Sequence, residues 1–137
     1  PEAKFADTHV RMGVVPGAGL SQRLASLIGA SRAKQLSFTG NYLDAYTAAR
    51  WGLVNEVLPA DELIPYCRGL AEDICSANPE TLREVHRLID YGCEHTLAEG
   101  IAEERRASQA SNRGIEAETL EATRLKVQSR GRDQTGD

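Results

Sequence analysis

The run Phe5-Ala6-Asp7-Thr8-His9-Val10-Arg11-Met12-Gly13-Val14-Val15-Pro16-Gly17-Ala18-Gly19 decides how the rest of this 137-residue sequence is read. Residues 4–10 mix β-branched and aromatic side chains with polar ones and lead to Gly13 and the Pro16-Gly17-Ala18-Gly19 cluster. That pattern predicts a short strand running into a loop. The loop then feeds a helix. Ser21 is placed to cap it, Leu24, Leu27 and Ile28 give it one apolar face, and Gly29 supplies the left-handed residue that ends it.

Working downstream, Ser31 is read as the cap of a short helix with Leu36 and Phe38 turned inward, broken by Thr39-Gly40-Asn41. Asp44 caps another helix whose face is Ala45, Ala48, Ala49 and Trp51. Gly52 stops it, and residues 53–57 form a β-rich run closed by Pro59. From Asp61 the periodicity is helical throughout: Leu63, Ile64, Cys67, Leu70, Ala71, Ile74 and Cys75 fall on one stripe. Asn78 before Pro79 is an N-cap with proline at the first helical position, and Leu82, Val85, Leu88 and Ile89 carry the next amphipathic helix. Thr96 and Glu99 form a capping-box pattern for a third. The last stretch sets Ile115, Leu120 and Val127 among many charges, a narrow seam that needs a partner surface, and the ending beyond Arg130 is expected to fray.

Composition excludes several classes. No run approaches the ~20 apolar residues of a membrane span, so no membrane association is expected. The net charge of −4 comes from interleaved acids and bases, which argues against nucleic-acid binding. Only the tail gathers positive charge, at Arg124, Lys126, Arg130 and Arg132, which suits a local phosphate or a solvated helix end. Cys67, Cys75 and Cys93 are odd in number and without CxxC spacing, so neither a disulfide framework nor a zinc site is indicated. Reduced thiols in a cytoplasmic protein fit best, with Cys67 and Cys75 as small core residues. Met12 is the only methionine and Pro1 stands directly before a strand-like run, so the sequence reads as beginning inside a longer parent, whose targeting segment would not be visible.

A lone Pro-Gly-x-Gly marks a turn in any fold. Here it is one of several motifs in a fixed order: Gln22-Arg23-Leu24 after the loop, then Leu36-Ser37-Phe38-Thr39-Gly40, then Ala45 and Ala48, Gly52-Leu53-Val54, Val57 and Pro59. The ordered set resembles the crotonase superfamily, in its enoyl-CoA hydratase/isomerase branch. The resemblance implies an α/β fold, the C-terminal half of a crotonase-like β/α spiral, in which residues 1–59 end the spiral core and residues 60–137 form a helical oligomerisation region. It implies an acyl-CoA thioester substrate, a trimer or dimer of trimers, and no cofactor, since the CoA is part of the substrate. It also implies that the backbone donors holding the thioester oxyanion, and the first of two catalytic acids, lie before Pro1.

In the family the second carboxylate falls at position 9, and this sequence has His9 there. A histidine near neutral pH can take up or give a proton, although it does not reproduce a pair of carboxylates. The resemblance therefore makes His9 the catalytic position, against the alternative of a histidine hydrogen-bonded at the end of a strand. Thr8 and Gly17 match positions lining the acyl pocket, where a glycine admits close backbone approach; the alternative for Gly17 is turn geometry. Lys126 and Arg130 are expected to reach CoA phosphates, or else to form a solvated face. The functional expectation is hydration or isomerisation of an enoyl-CoA by the full-length parent. Two alternatives remain at this point: other thioester chemistry such as hydrolysis or decarboxylation, and a non-catalytic oligomerisation half.

Overall fold

Small side chains and short caps, more than long strands, organise this chain. The computed structural model describes residues 1–113 and 115–135. Its elements are β1 (Lys4–Phe5), α1 (His9–Met12), α2 (Leu20–Ile28), α3 (Ala30–Thr39), β2 (Leu43–Asp44), α4 (Ala45–Trp51), α5 (Ala60–Cys75), α6 (Pro79–Glu94), α7 (Leu97–Ser111) and α8 (Ala117–Thr135). Two compact units, Pro1–Glu72 and Asp73–Asp137, divide the chain, and the division falls inside α5.

In the first unit the core is made where α2 and α3 meet. Leu24 and Ile28 lie four apart on α2, and Ala33 and Leu36 three apart on α3, so each helix presents one stripe; with Leu43 and Ala48 these are the buried cluster. Phe5, Leu20, Ala25, Trp51, Leu53 and Val54 pack around it. The antiparallel pair β1–β2, with Lys4 opposite Asp44 and Phe5 opposite Leu43, closes one side. Asp44 then starts α4: its carboxylate accepts the Thr47 N–H at 2.9 Å, as the sequence indicates. Ala48 is fully buried on α4, where a larger side chain would collide with the cluster.

Several local expectations are corrected here. The strand over residues 4–10 is only Lys4–Phe5, because its partner β2 is equally short and the Asp7 carboxylate accepts the His9 N–H, turning the chain into α1. Ser21 and Ser31 cap nothing; α2 and α3 begin after Gly19 and Gly29, and both serines lie inside their helices. Gly29 has positive φ, but at φ 82° and ψ 151° it is extended, not left-handed helical. That region is open essentially only to glycine. The single residue therefore ends α2 and starts α3: its N–H bonds the Ala25 carbonyl and its own carbonyl accepts the Ala33 N–H, each at 3.0 Å. Leu27 and Phe38 are not core residues, being 60% and 69% exposed. Residues 53–57 form no strand; Leu53 and Val54 pack on the core from a turn.

The helix predicted from Asp61 is α5, but none of its side chains is buried, so Cys67 and Cys75 are exposed thiols and not core. The stripe is present in sequence, and its Leu63, Ile64, Leu70 and Ile74 stay about half exposed. In the second unit Asn78 accepts the Glu80 and Thr81 N–H groups to start α6, and Thr96 with Glu99 forms the expected capping box of α7. A charged cluster joins those two helices. Arg87 on α6 meets Glu84 at 2.6 Å and Glu103 of α7 at 2.8 Å, and Arg106 meets the same Glu103 oxygen at 2.6 Å. The Arg106 guanidinium, with Arg87, holds the Glu103 carboxyl down at about 2, while burial opposes the shift. Leu120 and Val127 stay exposed on α8. That helix continues to Thr135 where fraying was expected; Gly136 and Asp137 lie outside the described residues. No helix among the described residues is long and apolar enough to cross a membrane.

Candidate active site

His9 opens α1, with Thr8 as its N-cap residue; the Thr8 carbonyl accepts the Arg11 and Met12 N–H groups at 3.0 and 3.2 Å. A second tie holds the helix from outside: Arg11 Nε donates to the Thr39 carbonyl at the end of α3, at 2.7 Å. His9 is thus fixed on a single turn braced against a core helix.

Beneath it lies Asp7, 4% exposed. Its Oδ1 lies 3.2 Å from the His9 backbone N–H and 2.7 Å from His9 Nδ1. The Ser37 hydroxyl from α3 is the main influence holding the Asp7 carboxyl below the usual aspartate range; His9 adds to it and burial opposes it. The His9 side chain itself is 40% exposed, so the pair has a covered acidic end and an open imidazole end.

Asp7 and His9 border an open concavity of about 250 Å³ with an apolar wall from Val10, Val14, Val15, Pro16 and Phe38, and with Ser21 and Ser37 as its further polar lining. Pro16 brings the Pro-Gly-x-Gly loop to this wall. Gly17 follows it without itself lining the space; a Cβ there would meet nothing within 4 Å, and its φ is not positive, so turn geometry alone does not demand glycine. Thr8 sits beside His9 in the chain, partly buried and off the lining. Lys126 and Arg130 belong to α8 in the other unit. The Arg130 guanidinium is engaged with Asp73 at 2.7 Å and with the Ser76 hydroxyl at 3.0 Å. The sequence reading singled out His9 but passed over Asp7 and Ser37. The signal for Asp7 was available, since an aspartate two residues before another group readily turns back onto that residue's backbone. Ser37 is 28 positions from His9 and had no local signature.

The enoyl-CoA hydratase/isomerase family model matches residues 1–122. The chain belongs to that family. A Mycobacterium leprae protein named as a probable enoyl-CoA hydratase is 40% identical over 104 residues, which are 76% of this chain and 40% of the relative. The enoyl-CoA hydratase of Bacillus anthracis superposes with a TM-score of 0.80 at 34% identity, covering 90% of this chain and 48% of that one. A candidate enoyl-CoA hydratase from Thermobifida fusca, solved in complex with acetoacetyl-CoA, has a TM-score of 0.74 at 26% identity over 82% of this chain and 44% of its own. The chain therefore spans about half the length of these family members. The likenesses bear out the crotonase-like α/β class, present here as a mostly helical portion with two short strands among the described residues.

Proposed function

We propose that the native polypeptide containing residues 1–137 is an enoyl-CoA hydratase or isomerase acting on acyl-CoA thioesters, and that these residues are its C-terminal half, with His9 moving the proton. The observation that carries this reading is the imidazole of His9, held from behind by Asp7 and open towards an apolar concavity next to the Pro-Gly-x-Gly loop. An acyl chain suits the Val10, Val14, Val15 and Phe38 wall, and the acetoacetyl-CoA held by the Thermobifida fusca relative is a thioester of this kind. The relatives' names favour hydration or isomerisation over hydrolysis or decarboxylation.

In such chemistry a thioester enolate is stabilised by preorganised N–H donors while a side chain moves protons at the neighbouring carbons. His9 takes the second role, between substrate carbon and water. Thr8 and Gly17 would act from just behind the lining, as chain neighbours of His9 and Pro16, with open space over Gly17 for backbone approach. Lys126 and Arg130 serve CoA phosphates; Arg130 would leave Asp73 to do so. No cofactor is required beyond the CoA of the substrate. Residues 1–59 act as the end of the catalytic core and residues 60–137 as the oligomerisation region. A homo-oligomer, a trimer or dimer of trimers, is supported by the exposed Leu63, Ile64, Leu70 and Ile74 on α5, since a contiguous apolar stripe on a water-soluble surface is usually covered by a partner.

Crotonyl-CoA turnover by the native polypeptide and its His9→Gln variant tests the reading. Glutamine keeps size and polarity but takes up no proton near neutral pH, so kcat should fall ~10²–10⁴-fold with thermal stability retained. A destabilised variant with full kcat per folded molecule would make His9 structural and refute the assignment.

A further inference from the structure

Asp7 is a buried acid that the proton-transfer role of His9 does not by itself account for. A turn of the Asp7-Thr8-His9 type needs only the bond from the His9 backbone N–H, here 3.2 Å. The bond to the ring, at 2.7 Å, is shorter and makes no contribution to the turn. We infer that Asp7 is a positioning residue for His9, fixing the imidazole with its proton on Nδ1 so that Nε2 is the atom that exchanges protons with the substrate. This rests on the reading of His9 as the proton carrier and adds the group through which it works.

The argument is one of donors and acceptors. A carboxylate only accepts, so an ionised Asp7 at 2.7 Å requires a hydrogen on Nδ1. The neutral ring then carries its lone pair on Nε2, which has no hydrogen bond among the described residues. Ser37 of α3 lines the same concavity beside the acid and favours its ionised form. In the proton-accepting step Nε2 takes a proton from the substrate carbon or from water and the ring becomes an imidazolium. The Nδ1 hydrogen stays on His9, Asp7 stays ionised opposite it, and in the returning step Nε2 gives its proton to the enolate or to the leaving oxygen. No oxidant or metal enters the balance. A carboxylate with 4% exposure, and with no Lys or Arg bonded to it among the described residues, is costly to keep unless it is hydrogen-bonded, and the imidazolium formed during turnover supplies the missing positive charge.

Asp7→Asn separates the two duties of the acid. A carboxamide oxygen still accepts the His9 backbone N–H, so the turn remains, but the amide presents either a donor or an acceptor to the ring and carries no charge. Three variants of the native polypeptide are compared with wild type on crotonyl-CoA: Asp7→Asn, His9→Gln and the pair. Asp7→Asn should lower kcat by about 10- to 10²-fold, within the ~10²–10⁴ that positioned proton transfer supplies, and leave KM within about twofold. In the His9→Gln background the same change should lower kcat no further, because Asp7 acts only through the ring. Long-range ¹H–¹⁵N spectra, with His9 assigned from its loss in His9→Gln, should show the neutral ring protonated on Nδ1 in wild type and a mixed population in Asp7→Asn. Equal kcat for Asp7→Asn and wild type, with His9→Gln depressed, would overturn the positioning role alone. So would a wild-type ring protonated on Nε2, a result that needs no variant to fold. Full kcat in His9→Gln would refute the His9 reading itself, and the positioning role with it.

Discussion

Gly40→Ala tests how firmly α1, and so His9, is tied to the core. Gly40 ends α3 in the left-handed region at φ 60°, where its N–H bonds the Leu36 carbonyl at 3.0 Å. A side chain there costs roughly 1–2 kcal/mol for the backbone conformation alone. A Cβ would also stand 2.6 Å from Arg11 Cγ, closer than carbon atoms approach, and 3.2 Å from Arg11 Nε, a tight contact. Arg11 can swing away, but only by giving up its 2.7 Å bond to the Thr39 carbonyl, worth about 0.5–1.5 kcal/mol. The expected total is about 1.5–3.5 kcal/mol. With a urea m-value of roughly 1–3 kcal/mol/M, the midpoint should fall by about 1 M. The assay is a urea titration of wild type, Gly40→Ala, Arg11→Ala and the double variant. In the Arg11→Ala background the alanine should cost only its conformational part, so the two changes should be less than additive. Because Arg11 and His9 share α1, kcat of the native polypeptide should also drop in Gly40→Ala. An alanine variant as stable as wild type would refute the reasoning, and strict additivity would refute the Arg11 tether.

Leu36→Ala, which empties the centre of the α2–α3 core, should destabilise by about 2–5 kcal/mol, read as a shift in the urea midpoint; a neutral result would mean the first unit has no such core. Glu103, whose carboxyl is held at about 2 against an ordinary 4.5, lends stability that is complete above about 4.5 and lost as pH falls through about 2. Protection of the α6 and α7 amides, measured relative to the unfolded chain at each pH, should therefore fall across that window in wild type, and Glu103→Gln should remove the acid dependence; the same acid limb in the variant would assign it elsewhere. The 137-residue chain alone should not turn over crotonyl-CoA, since loss of even one oxyanion donor typically costs ~10²–10³ in rate. Activity of the purified chain, free of host enzyme, would overturn the division of labour proposed for the longer protein. Light scattering should find the chain oligomeric, and a compact monomer at high concentration would count against an interface on α5.

What could be read in the sequence depended on how local the cause was. The caps at Asp44, Asn78 and Thr96 were legible because donor and acceptor lie within three residues. The left-handed stops at Gly40 and Gly52 were legible for the same reason. Ser21 and Ser31 misled because a hydroxyl near a helix start is a cap only if the backbone turns at that residue, and here the turns fall at Gly19 and Gly29. Phe38 and Cys67 look inward by periodicity alone; burial depends on what lies across from them, which a stripe does not encode. The site divides in the same manner. His9 stood out at a motif position, whereas the hydroxyl of Ser37 reaches Asp7 only through the packing of α3.

The junction at Gly29 limits how this protein can change length. One residue serves as the C-cap of one helix and the N-cap of the next, with no slack on either side. An insertion or deletion there would break the cap that the two helices share and change how α3 leaves α2. Leu36 would leave the core, and Ser37 and the Thr39 carbonyl would be carried away from Asp7 and Arg11. A single-residue change of length at this point would thus disassemble the proton-handling pair without altering either of its members, so sequence drift in length has to be absorbed elsewhere, in segments such as residues 14–18 or 53–59 that carry no helix.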